Sequence, residues 1–171
     1  MERMKRYLLA VALFCVLSAC IQSAGRYGAH AEVPTVSVST YTARVGEPVT
    51  VTLRSNLYLA EGSELSSATF SNVRLGACFY AEIRGGFCGR EDNKGGDPPL
   101  QPWVAMPDGQ AHVRDFGDVV VERGASYPLE HTFTFTANEA RTVKIEAWVY
   151  RSTVGFIGHV GDLVGPLVVF K

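Results

Sequence analysis

The feature that most constrains this chain is an alternation of apolar and polar residues with a period of two. Side chains alternate between the two faces of a β-strand, so this period predicts strands that bury one face. Residues that follow position 32 show no comparable helical spacing. The alternating segments are 36–38, 49–54, 73–84, 131–136 and 143–150, and a short apolar run, 167–170, closes the chain.

Turn-forming residues separate these segments, which gives about seven short strands. An isolated sheet would leave its apolar face in water, so two packed sheets are the economical solution. The pattern therefore predicts an all-β fold, an antiparallel β-sandwich.

Composition limits the class of protein further. The chain has 171 residues, of which 47% are hydrophobic, and this suits one folded domain with an appendage rather than a disordered chain. Lys and Arg number 16 against 17 Asp and Glu. This balance gives no indication of nucleic-acid binding.

The N-terminus has the pattern of an export signal. Arg3, Lys5 and Arg6 precede an uncharged, mostly apolar stretch, 7–16. A basic start before an apolar run of this length is typical of a secretory signal peptide, and the run is too short to span a bilayer.

Leu17-Ser18-Ala19-Cys20 resembles the lipobox of bacterial lipoproteins. The resemblance implies a signal peptide over 1–19, cleavage before Cys20, and lipid attachment to the Cys20 thiol with acyl chains such as palmitate. Residues 20–32 would then be a tether and 33–171 the folded domain. Ile21 after the cysteine favours the outer membrane if the cell is Gram-negative, so the expected partner of this end is the membrane.

An alternative cleavage site follows. Ala29-His30-Ala31 before Glu32 has the A-x-A form of ordinary signal cleavage, which would discard Cys20 and secrete the protein. The distance from the apolar run to this site is longer than usual and Arg26 lies between them, which favours lipidation, but both interpretations stay open.

The four cysteines divide by position. Cys15 leaves with the signal and Cys20 carries lipid, so Cys78 and Cys88 remain in a compartment that permits oxidation. We therefore expect a Cys78–Cys88 disulfide, with the preceding strand ending near Tyr80 and a wider loop beyond it. A redox or metal site is less favoured because the spacing is not C-x-x-C.

Two stretches, 45–53 and 122–135, together with a strand ending at Trp148-Val149-Tyr150, resemble bacterial immunoglobulin-like modules of the CARDB type. The resemblance implies an immunoglobulin-like sandwich over residues 33–171. Cys78 and Cys88 are too close in sequence to be the inter-sheet bridge of antibody domains.

Two segments are candidate contact loops. Residues 85–112 hold six Gly and four Pro, so we expect a long loop without strands, in which Trp103 either caps the sandwich or contacts a partner. Residues 153–163 are Gly-rich and apolar, and we expect a loop there. Phe156 and Ile157 in this second loop would touch a partner or membrane, or pack beneath the loop.

Catalysis is not indicated. The histidines (His30, His112, His131 and His159) are scattered, and His131 shares the parity of a buried face. His112 with Asp108, Asp115 and Asp118 could hold a cation, although these carboxylates more simply serve turns. We expect no enzyme activity, no cofactor and no metal.

These features predict a lipid-anchored extracytoplasmic binding module, an accessory component of the bacterial cell envelope. Its partner would be an envelope protein or polysaccharide. The alternative is an inhibitor of a protease or lysozyme that acts through the 85–112 loop, since a rigid loop loses less entropy on binding.

Overall fold

The computed structural model describes residues 28–81, 99–107, 109–153, 156–161 and 165–171, with only the backbone of 156–161. In these ranges the chain forms eleven strands and no helix that could cross a membrane. The strands are β1 (Ala29–Ala31), β2 (Thr35–Val38), β3 (Thr42–Ala43), β4 (Val49–Leu59), β5 (Ser67–Tyr80), β6 (Val104–Ala105), β7 (Val113–Glu122), β8 (Ser126–Ala137), β9 (Arg141–Thr153), β10 (Phe156–Gly161) and β11 (Leu167–Phe170).

The strands form two sheets. Sheet A has the order β1-β4-β8-β6, and β2 pairs with β4 on the edge that β1 also occupies. Sheet B has the order β3-β11-β9-β5-β7, and β10 pairs with β9 on the edge that β11 also occupies. All pairs are antiparallel except β3 with β11.

The expected all-β sandwich is confirmed. The described ranges contain more strands than the seven expected. Two strands share one position beside β4 (β1 and β2), and two share one position beside β9 (β10 and β11). The two-residue strands β3 and β6 add to the number. The predicted signal peptide, 1–19, and Cys20 lie outside the described residues.

Alternation produces the core, as expected for β4 and β8. Every second residue of β4 is buried, beginning at Val49, and the intervening positions are more exposed. Phe133 and Phe135 on β8 face the same way and meet Phe79 of sheet B, with ring centroids 6.2 and 4.9 Å apart. Burying such large apolar side chains is the main favourable term in folding.

The expectation of one buried face is wrong for β9. Val143 and Ile145 face the core, but Lys144, Glu146 and Trp148 on the opposite parity are buried as well. Lys144 Nζ donates to Glu146 Oε1 at 2.5 Å, so the two charges neutralise each other where water is scarce. β9 lies in the middle of sheet B, between β5 and the β10–β11 edge.

Three further segments depart from expectation. The predicted loop 85–112 contains β6, which pairs with the end of β8. The predicted loop 153–163 contains β10, which folds back on β9 in hairpin register. The predicted tether 20–32 contains β1, which pairs with Leu57–Leu59. In each case backbone hydrogen bonding to a long neighbouring strand outweighs a local composition that disfavours strands.

β5 ends at Tyr80, as we expected from the two cysteines. Cys78 is buried in this strand, directly opposite Glu146 of β9. Cys88 lies outside the described residues, so the Cys78–Cys88 pairing stays a prediction.

A glycine of β5 makes room for the largest buried side chain. A Cβ placed on Gly76 would lie 2.8 Å from Cζ2 of Trp148 and 2.9 Å from Cγ2 of Val113. We predict that Gly76→Ala lowers the free energy of unfolding by about 1–3 kcal/mol, as overpacking does, measured by urea denaturation. Gly62→Ala is the matched control, since nothing lies within 4 Å of its added Cβ. Equal effects of the two substitutions would contradict the packing argument.

Candidate functional site

The long strands define two opposite ends of the molecule. At the N-terminal end, Ala29 pairs with Leu59, the last residue of β4. At the distal end, Val49 begins β4 and pairs with Phe135. β4 has 11 residues, so these ends are about 33 Å apart at the usual rise of ~3.3 Å per residue.

Trp103 lies at the distal end and caps the sandwich. The β6 residues that follow it pair with Thr136 and Ala137 of β8. The Asn138 amide donates to the Trp103 carbonyl (3.1 Å), and Asn138 Nδ2 donates to the Pro102 carbonyl (3.3 Å). The Trp103 side chain is partly buried and packs against the core, which corresponds to capping, one of the two positions expected for it.

A cation covers part of the Trp103 ring. The Arg141 guanidinium carbon is 4.2 Å from the ring centroid, within the range of a cation–π interaction. Arg141 Nη2 also forms an ion pair with Glu139. The ring is therefore held in one orientation between the core and a charged side chain, while part of its surface stays accessible.

Exposed apolar side chains lie near this cap. Val45 is 42% exposed, and its turn is bonded to the end of β8 through the Gly46 amide and the Ala137 carbonyl (2.9 Å). Leu100, three residues before Trp103, is 38% exposed. We call Val45, Leu100, Trp103 and Arg141 the distal surface. Trp and Arg beside small apolar groups are the residue types that dominate binding energy at protein interfaces.

The other predicted contact residues are not part of this surface. Phe156 and Ile157 pair in backbone register with Thr153 and Ser152, and their side chains lie outside the described residues. β9 has 13 residues, with Arg141 at one end and Thr153 at the other. The structure therefore separates the two candidate contact regions. The inhibitory interpretation stays a prediction, because residues 82–98 lie outside the described part of the chain.

The carboxylates near His112 serve the backbone. Asp115 Oδ1 accepts from the Gly117 amide (2.7 Å), and Asp118 Oδ1 accepts from the Asn72 amide (3.1 Å). Asp108 lies outside the described residues. Among the residues that the structure describes, no group of three or more His, Cys, Asp or Glu could hold a metal ion.

Comparison with known proteins does not assign a family. No protein-family model matches the chain, and no curated protein sequence matches it. Among solved structures, the sporulation control protein Spo0M of Bacillus subtilis is similar, with 12% identity and a TM-score of 0.37. The alignment covers 82% of this chain and 50% of that protein, so the chain spans about half the length of Spo0M.

The stacking of Arg141 on Trp103 can be measured by a double-mutant cycle. We predict that Trp103→Leu and Arg141→Met couple by about 0.5–1 kcal/mol in the free energy of unfolding, because each removes one partner of the cation–π contact. Arg54→Met with Trp103→Leu is the control cycle, since Arg54 bonds Glu130 on the outer face of sheet A. Zero coupling between Trp103 and Arg141 would refute the stacking.

Proposed function

We propose that this chain is a lipid-anchored extracytoplasmic binding module, an accessory component of the bacterial cell envelope. Cys20 carries the anchor, and the distal surface meets a partner protein. The observation that carries the proposal is the placement of the chain's N-terminal entry and the distal surface at opposite ends of the sandwich.

The position of β1 supports processing at Cys20 rather than after Ala31. Ala29, His30 and Ala31 are the residues of β1 and pair with β4, and both alanines pack against the core. Cleavage after Ala31 would remove the whole strand and expose the edge of β4. Cleavage before Cys20 leaves the sheet complete.

The distances suit an anchored module. Eight residues separate Cys20 from Ala29, so the N-terminal end stays within about 30 Å of the lipid, even with the tether fully extended. The distal surface lies a further ~33 Å along the strands. Trp103 and Leu100 are therefore at the end of the sandwich opposite to the end that the tether enters, where a partner in the envelope can contact them.

The lipid would account for membrane attachment. Each buried methylene contributes about 0.8 kcal/mol, so one chain binds reversibly, while two or more give stable anchoring. The bacterial lipoprotein resemblance of residues 17–20 implies a diacylated thioether, often with a third chain on the amine. No membrane-spanning segment is needed for such an attachment.

The anchor is tested by the mass of the protein purified from its own cell. We predict an N-terminus at Cys20 with an added mass of diacylglycerol and acyl chain, and loss of both in Cys20→Ala. Cys15→Ala is the matched control, since it changes a cysteine of the leader without touching the lipid-bearing position. An unmodified N-terminus at Glu32 would overturn the anchor.

The distal surface is tested by placing a photo-cross-linking residue at Leu100 or at Tyr127 in living cells. These two side chains have similar exposure, 38% and 41%, but Tyr127 lies near the N-terminal end, opposite Leu57. We predict a discrete cross-linked protein from Leu100, weakened by Trp103→Ala, and none of the same mass from Tyr127. The same product from both positions would contradict a distal contact.

A further inference from the structure

The outer face of sheet A carries an array of hydroxyl side chains. Alternate residues of β4 and β8 are buried, so the residues between them face outward, and Val36 and Val38 of β2 pack against the core in the same way. Six neighbouring outward positions on β4, β8 and the β2 segment are Ser or Thr. We call these six residues the hydroxyl face: Ser37, Ser39, Thr50, Thr52, Thr132 and Thr134.

The strand register orders the hydroxyl face into two rows that cross the sheet. The rows are Ser37–Thr52–Thr132 and Ser39–Thr50–Thr134. Neighbouring strands lie about 4.8 Å apart, and alternate residues of one strand lie about 6.8 Å apart. The hydroxyl groups therefore repeat at regular intervals in both directions.

Hydrogen bonds within the sheet fix these side chains. Thr52 Oγ1 and Thr132 Oγ1 are 3.1 Å apart, and Ser39 Oγ accepts from the Thr50 amide (3.0 Å). A hydroxyl has one donor and two acceptor sites, so each of these groups can still bond to a ligand. Because the side chains are already held in place, a ligand that bonds to them costs little further side-chain entropy.

The hydroxyl face is uncharged. At its border, Arg54 and Glu130 neutralise each other, with Arg54 Nε 2.9 Å from Glu130 Oε2. Surfaces that meet only water usually intersperse charges of both signs, and these two rows contain none. An uncharged face does not attract a polyanion, and Ser is depleted at interfaces between proteins. The chemistry that complements it is a neutral polymer rich in hydroxyl groups.

The same outward side of β4 continues beyond the rows with further groups suited to sugars. Arg54, Asn56 and Tyr58 follow at alternate positions, and the ring of His30 on β1 stacks on Tyr58 with centroids 5.2 Å apart. Aromatic rings offer an apolar surface to the C–H side of a sugar ring. From Thr50 to Tyr58 this line of side chains is about 26 Å long, which suits an extended chain.

We propose that the outer face of sheet A binds a neutral, extended polysaccharide that lies along β4. The hydroxyl face hydrogen-bonds to the sugar hydroxyls, and the threonine methyl groups contact the C–H groups of the rings. This surface is separate from the distal surface, so the inference does not depend on the proposed anchor or on a partner protein.

The proposal is tested by affinity electrophoresis of the purified protein in native gels that contain one polysaccharide each. Hydroxyethylcellulose and glucomannan are the neutral extended probes, and alginate is the extended polyanion. We predict retardation by at least one neutral polymer and weaker or no retardation by alginate. Equal or greater retardation by alginate, or no retardation by either neutral polymer, would refute the proposal.

The deciding variant combines Thr52→Val with Thr132→Val. Valine keeps the shape and the β-propensity, and changing both members of the bonded pair leaves neither hydroxyl unpaired. We predict that the apparent affinity for the retarding polymer falls by about tenfold or more, because the hydrogen bonds of both hydroxyls to it are lost. Thr42→Val with Thr69→Val is the matched control on sheet B, where both side chains are exposed, and it keeps the affinity. Equal losses in the two double variants contradict binding at this face.

Two further measurements decide the occupant. If the Thr52 and Thr132 double variant does not fold, NMR amide shifts of the natural chain on addition of the retarding polymer replace it. We expect shifts in the hydroxyl face, and shifts confined to Asn138 at the distal end would reject the proposal. Self-association that the double variant abolishes, measured by sedimentation and without binding of a neutral polymer, would instead assign the face to a second copy of the chain.

Discussion

The structure depends on the contact of Phe79 with two aromatic rings of the opposite sheet. Phe79 of β5 packs on Phe133 and Phe135 of β8, and Phe135 in turn meets Phe170 of β11 at 5.6 Å. These rings join three strands of both sheets near the distal end. Tilted and edge-on aromatic pairs add specific geometry to the area they bury. The distal surface therefore lies next to this aromatic cluster of the core.

Much of this core could be predicted from the sequence, because a period of two assigns each residue of β4 and β8 to a face. The period of two shows which residues share a face of the strand, but it does not show what covers that face. β9 shows the limit: its outer parity carries Lys144, Glu146 and Trp148, which are buried. Nothing in the alternation distinguishes a solvated outer face from a covered one. Gly76 leaves room for the indole of Trp148 on this face, and this contact follows from the pairing of β5 with β9.

The candidate site was predictable only in part. Trp103 stands out in the sequence as the large apolar residue of a Pro- and Gly-rich segment, but its partner Arg141 does not. The two residues meet because β6 pairs with the end of β8, and a two-residue strand beside Pro102 gives no periodic signal. The sequence predicts a loop in place of β10 for a similar reason, since Gly158 and Gly161 disfavour a strand. Pairing with β9 stabilises the strand.

The described part of the 99–113 region is held at two separate places, by the contacts around Trp103 and by the hydrogen bond between His131 and Ala111. Trp103 contacts Asn138 and Arg141 at the turn between β8 and β9, whereas Ala111 is bonded to His131 in the middle of β8. Neither set of contacts shares a hydrogen-bonding group with the other. Energetic effects at sites without shared partners are usually additive. The contacts of Trp103 at the distal end are therefore expected to be energetically independent of those of His131 along the side of the sandwich.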